Sequence, residues 1–325
     1  MKWMFSLVLA GFLFSACDND LVVIDNWKDI PVVWGFVSKS DTAHYIRVEK
    51  AFLDPNTSAY VIAQVPDSLY YSNATVTIKR IASGDVYTLE KVDGNLEGYP
   101  RKSGVFASAP NYLYKIKGNE IDLVPGEKYQ FSLVRNGLEA PVTAETIILP
   151  KPVIRNPSVG TNLLFRNGSN FTFDWNDMPD AGMFDIHMRF SYTEKTPETG
   201  GLFIPDTIEW VVAQGVIDSD FRMDGGEFYR SIDALIEDNP AAIRTIGTVD
   251  IIVWCGGKEL EEYISVALAN TGITSTQDFP EYTNLSEGNG IFTSRNYTDN
   301  MGYPLHNLTI DSLKDGSITG HLNFQ

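Results

Sequence analysis

Few of the residue types that perform catalysis or bind metals stand at the spacing such chemistry needs. The sequence has four histidines, and none of them forms the HxxH or HExxH pattern of zinc sites: His44, His187, His306 and His321. It also has no GxSxG turn, P-loop or GxGxxG stretch, which are common signatures of hydrolases, nucleoside triphosphatases and dinucleotide-binding enzymes. We therefore predict a protein that is not an enzyme and has no catalytic residue, no metal and no cofactor.

Carboxylates are abundant, and one cluster of them deserves comparison with a calcium loop. Asp174, Asp177 and Asp180 stand in DWNDMPD, whereas a calcium loop needs Gly at its sixth position and Glu at its twelfth. We interpret this stretch as a solvated turn. A carboxylate pair for glycoside hydrolysis stays open, because its members meet in space and need not be close in sequence. An enzyme such as a glycosidase is the least favoured functional hypothesis.

Cys17 ends the stretch LFSAC, after an apolar run over residues 3–14. That run is shorter than the roughly 20 residues that cross a bilayer, and with the small residues Ser15 and Ala16 it is typical of a secretory signal. The arrangement resembles a bacterial lipoprotein box, which implies a signal peptide at 1–16 and a lipidated cysteine as the first mature residue. An ordinary secreted protein with a chance cysteine is the alternative.

Acyl chains on Cys17, such as palmitate, would attach the protein to a membrane, since two or more chains give stable anchoring. The next residues, Asp18, Asn19 and Asp20, resemble the acidic export signal of Bacteroidota surface lipoproteins and also suit a solvated tether. No element is predicted over residues 17–29. We expect a lipidated tether there and an outer-membrane protein that faces the cell exterior.

Composition indicates a folded and strongly acidic protein. The chain has 325 residues, of which 43% are hydrophobic and 12% aromatic, enough for sizeable cores in two domains. It carries 42 acidic and 25 basic residues, for a formal net charge of −17. Such a surface repels the phosphates of nucleic acids and anionic lipids, so we expect no nucleic-acid partner. A cationic partner, or bound calcium, remains compatible with this charge.

Residues 30–150 alternate between apolar and polar types with the period of a strand. In ATVTIKRI, Val76 and Ile78 share one face, and short turns such as SGD and VPGE separate runs of this kind. Many short strands with frequent turns predict an immunoglobulin-like β-sandwich. The predicted strands cover 31–37, 43–50, 59–65, 74–81, 85–91, 104–109, 111–117, 128–135 and 140–148.

A domain boundary is predicted in PKPVIRNP, where three prolines fall within eight residues. Residues 151–325 then begin with a Trp-containing hairpin that resembles part of a fibronectin-type sandwich. Two helices interrupt the strands, one in DGGEFYRSIDALIEDNP with Asp224 and Glu227 as a capping pair, and one in KELEEYISVALANTG with Gly272 as its stop. The fold class is therefore mainly β, a sandwich followed by a second β-rich domain with helical insertions.

Aromatic residues and the second cysteine are mostly assigned to cores. Cys255 stands in the β-branched run TVDIIVWCGG, away from any basic residue that would activate it, so we interpret it as a core thiol. Large aromatic residues are usually mostly buried, which favours core positions for Trp34, Trp175, Trp210 and Trp254. Tyr70, Tyr71, Tyr282 and Tyr297 are predicted to be exposed, and Tyr282 and Tyr297 are the candidate ligand contacts.

Residues 279–295, FPEYTNLSEGNGIFTSR, carry a recurrent pattern of Tyr-x-Asn-Leu followed by Gly-x-Gly-Ile-Phe. It is matched by Tyr282, Asn284, Leu285, Gly288, Gly290, Ile291 and Phe292. This resembles the C-terminal signature of a domain-of-unknown-function family of Bacteroidota lipoproteins with an immunoglobulin-like N-terminal region. The resemblance implies an association with TonB-dependent outer-membrane receptors and no catalytic residues. Thr293 departs from the pattern, where a Gly is expected.

Glycines at 288 and 290 permit turns with positive φ, so we favour a packed corner over a ligand site for this motif. Three functional hypotheses follow from the sequence. The leading one is a non-enzymatic accessory or interaction subunit of a transport or adhesion apparatus. The second is a lipoprotein that captures a glycan for uptake, and the third is an enzyme.

Overall fold

A computed structural model gives the fold, and it describes residues 30–51, 57–135, 140–269 and 281–325. Strands in these ranges form sheets of eight, four and three strands. The prediction of a mainly β fold is thereby confirmed. The predicted lipidation site and export signal, Cys17, Asp18, Asn19 and Asp20, lie outside the described residues, as do the rest of the predicted signal peptide and tether.

The strands are β1 (Ile30–Val37), β2 (Ala43–Ala51), β3 (Ala74–Arg80), β4 (Val86–Thr88), β5 (Glu90–Asp93), β6 (Tyr112–Lys117), β7 (Lys128–Arg135), β8 (Val142–Ile147), β9 (Ile154–Asn156), β10 (Asn170–Trp175), β11 (Ala181–Lys195), β12 (Ile204–Val216), β13 (Asp220–Asp224), β14 (Ile243–Gly257) and β15 (Asn289–Tyr303). The helices are α1 (Ala59–Ala63), α2 (Pro66–Leu69), α3 (Gly226–Leu235), α4 (Lys258–Ala269) and α5 (Asn307–Asp315), with a 3-10 turn at Gly320–Leu322.

The eight-stranded sheet runs in the order β12-β11-β14-β15-β1-β2-β6-β5, and its half that contains β1, β2 and β6 faces the four-stranded sheet β4-β3-β7-β8. Val33 of β1 and Phe131 of β7 are fully buried in the core between these sheets. Because successive side chains of a strand point to opposite faces, the neighbours Trp34 and Phe36 alternate with the buried positions of β1. This arrangement confirms the β-sandwich predicted for the first region.

The other end of the eight-stranded sheet packs against the sheet β13-β10-β9 and against α3 and α5. Trp175 of β10 is fully buried, with its ring centroid 5.0 Å from that of Phe184. Phe228 of α3 stacks on Phe165 at 4.1 Å between centroids. The second β-rich region with helical insertions is therefore confirmed.

Strand β15 joins the two halves of the molecule. It pairs antiparallel with β14 and parallel with β1, which places Phe292 beside Gly35. Phe292 is fully buried in the core of the first sandwich, although it comes from the C-terminal part of the chain. The predicted domains at 30–150 and 151–325 stay a prediction, and one hydrogen-bonded sheet continues across both of them.

The predicted strand over 59–65 is wrong, because α1 occupies this stretch. The apolar letters AYVIA do not form a buried face: Ala63 is buried, while Tyr60 and Val61 are 71% and 59% exposed. Pro66 follows and lacks the N–H that a central strand would need. The proline instead begins α2, a position at the start of a helix where no N–H is required.

The predicted strand over 104–109 is also wrong. The Gln64 side-chain amide donates hydrogen bonds to the carbonyls of Gly104 and Val105, at 3.1 and 2.6 Å. These two main-chain carbonyls are therefore hydrogen-bonded to a side chain and not to the backbone of a neighbouring strand. Phe106 is 42% exposed and lies under the Arg101 guanidinium, 4.8 Å from its ring centroid.

Both predicted helices are present, as α3 and α4. Asp224 accepts a hydrogen bond from the Gly226 N–H at 2.9 Å, whereas Glu227 pairs with Arg230 at 2.8 Å, so the predicted capping pair is only half formed. Gly272, the predicted stop of α4, lies outside the described residues. Helix α5 was not predicted; His306 caps it by accepting the Leu308 N–H at 3.1 Å. No helix in the described ranges is both long enough and apolar enough to span a bilayer.

Candidate functional site

One face of the eight-stranded sheet points away from both cores, and we call it the outer face. Its register places Trp254 of β14 beside Tyr297 of β15, with ring centroids 4.5 Å apart. The same face continues across β15, β1 and β2 in steps of two residues. It thus carries half-buried large side chains on four neighbouring strands: Trp34, Phe36, Tyr45, Trp254, Arg295 and Tyr297.

Helix α4 lies on the outer face and packs against β11, β14 and β15. A Cβ added at Gly256 would come within 2.7 Å of the Leu260 side chain, so the missing side chain allows the close approach of helix and sheet. Thr293 of β15 is fully buried and donates a hydrogen bond to the Glu259 carboxylate at 2.9 Å. The helix is therefore fixed to the sheet at its first turn.

The first cavity lies beside the C-terminal half of α4 and measures about 400 Å³. Trp34 and Tyr263 meet there edge to face, with ring centroids 5.2 Å apart. Tyr282 lines the same cavity. Burial raises the pKa of the Tyr282 hydroxyl, and its hydrogen bond to the Glu262 carboxylate raises it further. This tyrosine is thus protonated at neutral pH, and its hydroxyl is already engaged.

The second cavity, about 630 Å³, opens beside β1 and β2. Its walls are aromatic, from Trp34, Phe36 and Tyr45, and the Tyr45 and Tyr99 rings lie 4.7 Å apart. Charged groups at this cavity are paired. The Arg47 guanidinium bonds the Glu49 carboxylate at 2.9 Å.

The third cavity, about 370 Å³, lies beside the first turn of α4, where Leu260 lines it. Trp254 lines it together with Asp185, His187 and Gln214. Leu260 and Arg295 line both the second and the third cavity, so the two cavities meet at these residues. Apolar and hydrogen-bonding groups therefore both line these two adjoining cavities, which we together call the cleft.

Arg295 is the central polar group of this cleft. Its guanidinium bonds Asp41 at 3.1 Å and lies 5.8 Å from the ring centroid of Trp254. Its Nε is buried without a hydrogen-bond partner among the described atoms. Arg295 belongs to β15, and Asp41 lies in the turn between β1 and β2. The two residues are close because β15 and β1 are neighbours in the sheet.

The described part of the motif, residues 281–295, builds the entry into β15. The Asn284 side chain accepts the Phe292 N–H at 3.0 Å and donates to the Phe292 carbonyl at 2.7 Å. Thr283 donates from its hydroxyl to the Gly290 carbonyl at 2.7 Å. These bonds close a compact corner, whose Leu285 side chain is buried in the core of the first sandwich.

Both glycines of the motif are required by this corner. Gly288 and Gly290 have φ of 102° and 98°, and a Cβ at either would overlap the carbonyl oxygen of Pro31 or Val33. The parallel pairing of β15 with β1 brings these backbones together. The geometry matches the predicted packed corner, and the same segment also lines the first cavity through Gly290.

The predicted contact residues have different outcomes. Tyr282 lines the first cavity and Tyr297 is half-buried on the outer face, beside Trp254. The prediction that Tyr70 and Tyr71 are exposed is wrong: they are 5% and 4% exposed. Tyr71 belongs to the core of the first sandwich, and Tyr70 packs against Tyr112 at 5.2 Å between ring centroids.

The four tryptophans assigned to cores divide into two pairs. Trp175 is fully buried, and Trp210 packs against the same core, as predicted. For Trp34 and Trp254 the prediction is wrong, because both are half-buried on the outer face and line cavities. Alternation shows that two faces differ, but it does not show which face a second sheet will cover.

Cys255 is buried, as predicted for a core thiol. Burial raises its pKa to about 12, which leaves almost no thiolate at neutral pH. Its sulfur contacts the Asn296 carbonyl at 3.4 Å. Since the thiolate is the nucleophile and the metal ligand, this cysteine has neither property in the folded chain.

The histidines and carboxylates are dispersed over the part of the chain that the structure describes. No group of three or more His, Cys, Asp or Glu side chains there could hold a metal ion. His187 pairs with Glu209 at 3.2 Å, and His321 with Asp233 at 3.3 Å. His44 is buried, and its Nδ1 has no hydrogen-bond partner among the described atoms.

Asp41 and Arg295 were not predicted as site residues, and neither was the cleft that they line. The two residues are 254 positions apart, and only the pairing of β15 with β1 brings them together. One signal was present: in FTSRNY, Arg295 and Tyr297 are two residues apart and must share a strand face.

Comparison with known proteins gives distant structural likenesses. No family model matches the chain, and no curated protein matches it. The C-terminal globular domain of an oligosaccharyltransferase from Pyrococcus abyssi is 12% identical, with a TM-score of 0.24 over 68% of this chain and 47% of that chain. The FN1–FN3 domains of chicken CNTN1 are 12% identical, with a TM-score of 0.19 over 82% of this chain and 65% of that chain. This chain thus spans less than two thirds of either structure.

Proposed function

We propose that this protein is a lipid-anchored protein of the outer membrane, facing the cell exterior, that acts without catalysis as an accessory or interaction subunit of a transport or adhesion apparatus. The observation that carries this proposal is the outer face, where half-buried aromatic side chains line cavities beside α4. Exposed apolar surface rimmed by polar groups is characteristic of sites that bind a partner or ligand.

Anchoring is part of the same proposal and is supported by the sequence. Cys17 follows an apolar run and two small residues, and Asp18, Asn19 and Asp20 come next. The net charge of −17 would repel anionic lipids, so acyl chains on Cys17 would have to supply the attachment. A TonB-dependent receptor is the partner that the family resemblance suggests.

The test is isolation of the native lipidated protein by gentle detergent extraction, followed by mass spectrometry of the proteins that accompany it. We expect a stoichiometric outer-membrane β-barrel. Recovery of the protein alone would contradict the accessory role. A Cys17→Ser variant serves as the control, since loss of lipidation should move the protein out of the membrane fraction; a Cys17→Ser protein that stays there would contradict the anchor.

The second candidate function is capture of a glycan for uptake. The specific observation in its favour is the cleft formed by the second and third cavities, which aromatic and hydrogen-bonding groups both line. Ligand sites generally combine a mostly apolar lining with a few placed polar groups, in cavities of about 300–1,000 Å³. Both cavities have volumes in this range.

A further inference from the structure

The cleft has one arrangement that the proposed functions leave unexplained: both arginines that line it already have carboxylate partners. The Arg295 guanidinium bonds Asp41, and the Arg47 guanidinium bonds Glu49. His187 of the third cavity is next to Glu209. The cleft therefore offers both donors and acceptors of hydrogen bonds, and both of its guanidinium groups are already bonded to carboxylates.

Aromatic rings flank these polar pairs on both sides. Trp254 lies on the third-cavity side of Arg295, and Tyr99 and Tyr45 lie on the second-cavity side. Tyr99 is 55% exposed, so its ring is open to a ligand. Flat apolar surfaces separated by a polar group suit a ligand whose own apolar faces and polar edges repeat along its length.

Charge narrows the class of ligand further. An anionic ligand would meet a protein of net charge −17 and guanidinium groups that already have carboxylate partners. A purely apolar ligand would leave the buried Nε of Arg295 and the Gln214 amide without hydrogen bonds when it excluded water from them, which is costly. A neutral oligosaccharide satisfies both conditions, because its C–H faces stack on aromatic rings while its hydroxyls donate and accept at the edges.

We infer that the cleft formed by the second and third cavities binds a neutral oligosaccharide across Arg295, with sugar rings stacked on Trp254 at one end and on Tyr99 at the other. This inference deepens the proposed glycan-capture function and rests on it. It assigns the contact to residues other than Tyr282, which lines the first cavity and whose hydroxyl is engaged with Glu262. Arg295 and Asp41 supply the hydrogen bonds between the two stacking positions.

The test is a titration of the lipidated protein in a detergent without a sugar headgroup, followed by tryptophan fluorescence and calorimetry. The probes are neutral hexasaccharides of glucose, mannose, xylose, galactose and N-acetylglucosamine, with hexagalacturonate and hexalysine as charged alternatives. We expect at least one neutral hexasaccharide to bind and to change the tryptophan emission. No binding of any neutral hexasaccharide, or binding of a charged probe alone, would overturn the inference.

Variants locate the site. Arg295→Ala should weaken binding of the neutral probe about tenfold or more, as expected for a central contact, and Tyr99→Ala should weaken it several-fold. Tyr99 is largely exposed, so its truncation leaves the fold intact. Arg222→Ala, at a side chain 67% exposed on β13, is the matched control and should bind like the wild type. Unchanged binding in both cleft variants would place the saccharide elsewhere. Isolation of a barrel partner with Arg295→Ala would still support the accessory role, so the two proposals can fail separately.

Discussion

Replacing Gly290 with alanine is expected to destabilise the protein more than the same replacement at Gly302, although both glycines lie in β15 and both have positive φ. Their φ values are 98° and 75°. A positive φ costs an L-residue about 1–2 kcal/mol, and the loss of backbone freedom in the unfolded chain is similar for the two variants. These terms cancel when the two variants are compared.

The steric cost of the added methyl group differs between the two variants. At Gly290 it would overlap the Val33 carbonyl oxygen, whereas at Gly302 no atom lies within 4 Å. Inserting a methyl group into a closely packed place typically costs about 1–3 kcal/mol. We therefore expect Gly302→Ala to lower the free energy of unfolding by about 1–2 kcal/mol and Gly290→Ala to lower it by a further 1–3 kcal/mol or so.

Urea denaturation followed by tryptophan fluorescence measures both values, because the free energy of unfolding falls linearly with denaturant. Trp34 of β1 lies one residue from the site of overlap and reports on this part of the sheet. If the two variants were equal within about 0.5 kcal/mol, the usual scale for a surface substitution, the parallel pairing of β15 with β1 would be refuted.

Three further predictions concern buried polar groups. Arg244→Met should lower the free energy of unfolding by about 3–5 kcal/mol, because the buried Arg244 guanidinium bonds the Glu194 carboxylate and two main-chain carbonyls. The control Arg222→Ala, at an exposed side chain, should change that free energy by less than about 0.5 kcal/mol. Equal urea midpoints for the two variants would contradict this prediction. Burial lowers the pKa of His44, so below its unfolded value of about 6.5 the unfolded chain takes up a proton that the folded chain does not. Stability should therefore fall as pH decreases from 6.5 in the wild type, and less steeply in His44→Leu; parallel pH profiles would exclude this contribution. Cys255, with its pKa raised to about 12 by burial, should resist iodoacetamide at pH 8 until urea unfolds the chain, and rapid labelling of the native protein, located by peptide mapping, would contradict its buried state.

The regular part of the sandwich could be predicted from the sequence because it depends on local alternation. Val76 and Ile78 share a face in the letters of ATVTIKRI, and both are fully buried in β3. The strand predicted over 59–65 is absent, because the apolar residues there form α1 and leave Tyr60 exposed. Composition identifies an apolar segment, and tertiary contacts decide whether it becomes a strand.

The candidate site could be predicted only in part. Tyr297 was identified from the sequence, but its neighbour Trp254 was assigned to a core, since alternation does not reveal which face of the large sheet stays open. Arg295 and Asp41 meet only through the parallel pairing of β1 with β15. A contact at such a large sequence separation has no local signature, and it depends on the topology of the whole sheet.

Photo-crosslinking in intact cells tests whether the outer face of the eight-stranded sheet is the functional surface. A photoreactive phenylalanine analogue replaces Tyr297 on the outer face or, as the control, Leu308 on α5, which is 48% exposed on the side of the molecule behind the sheet. We predict a crosslinked product to a membrane barrel or a glycan from position 297 and none from position 308. A product from position 308 with none from position 297 would contradict the account.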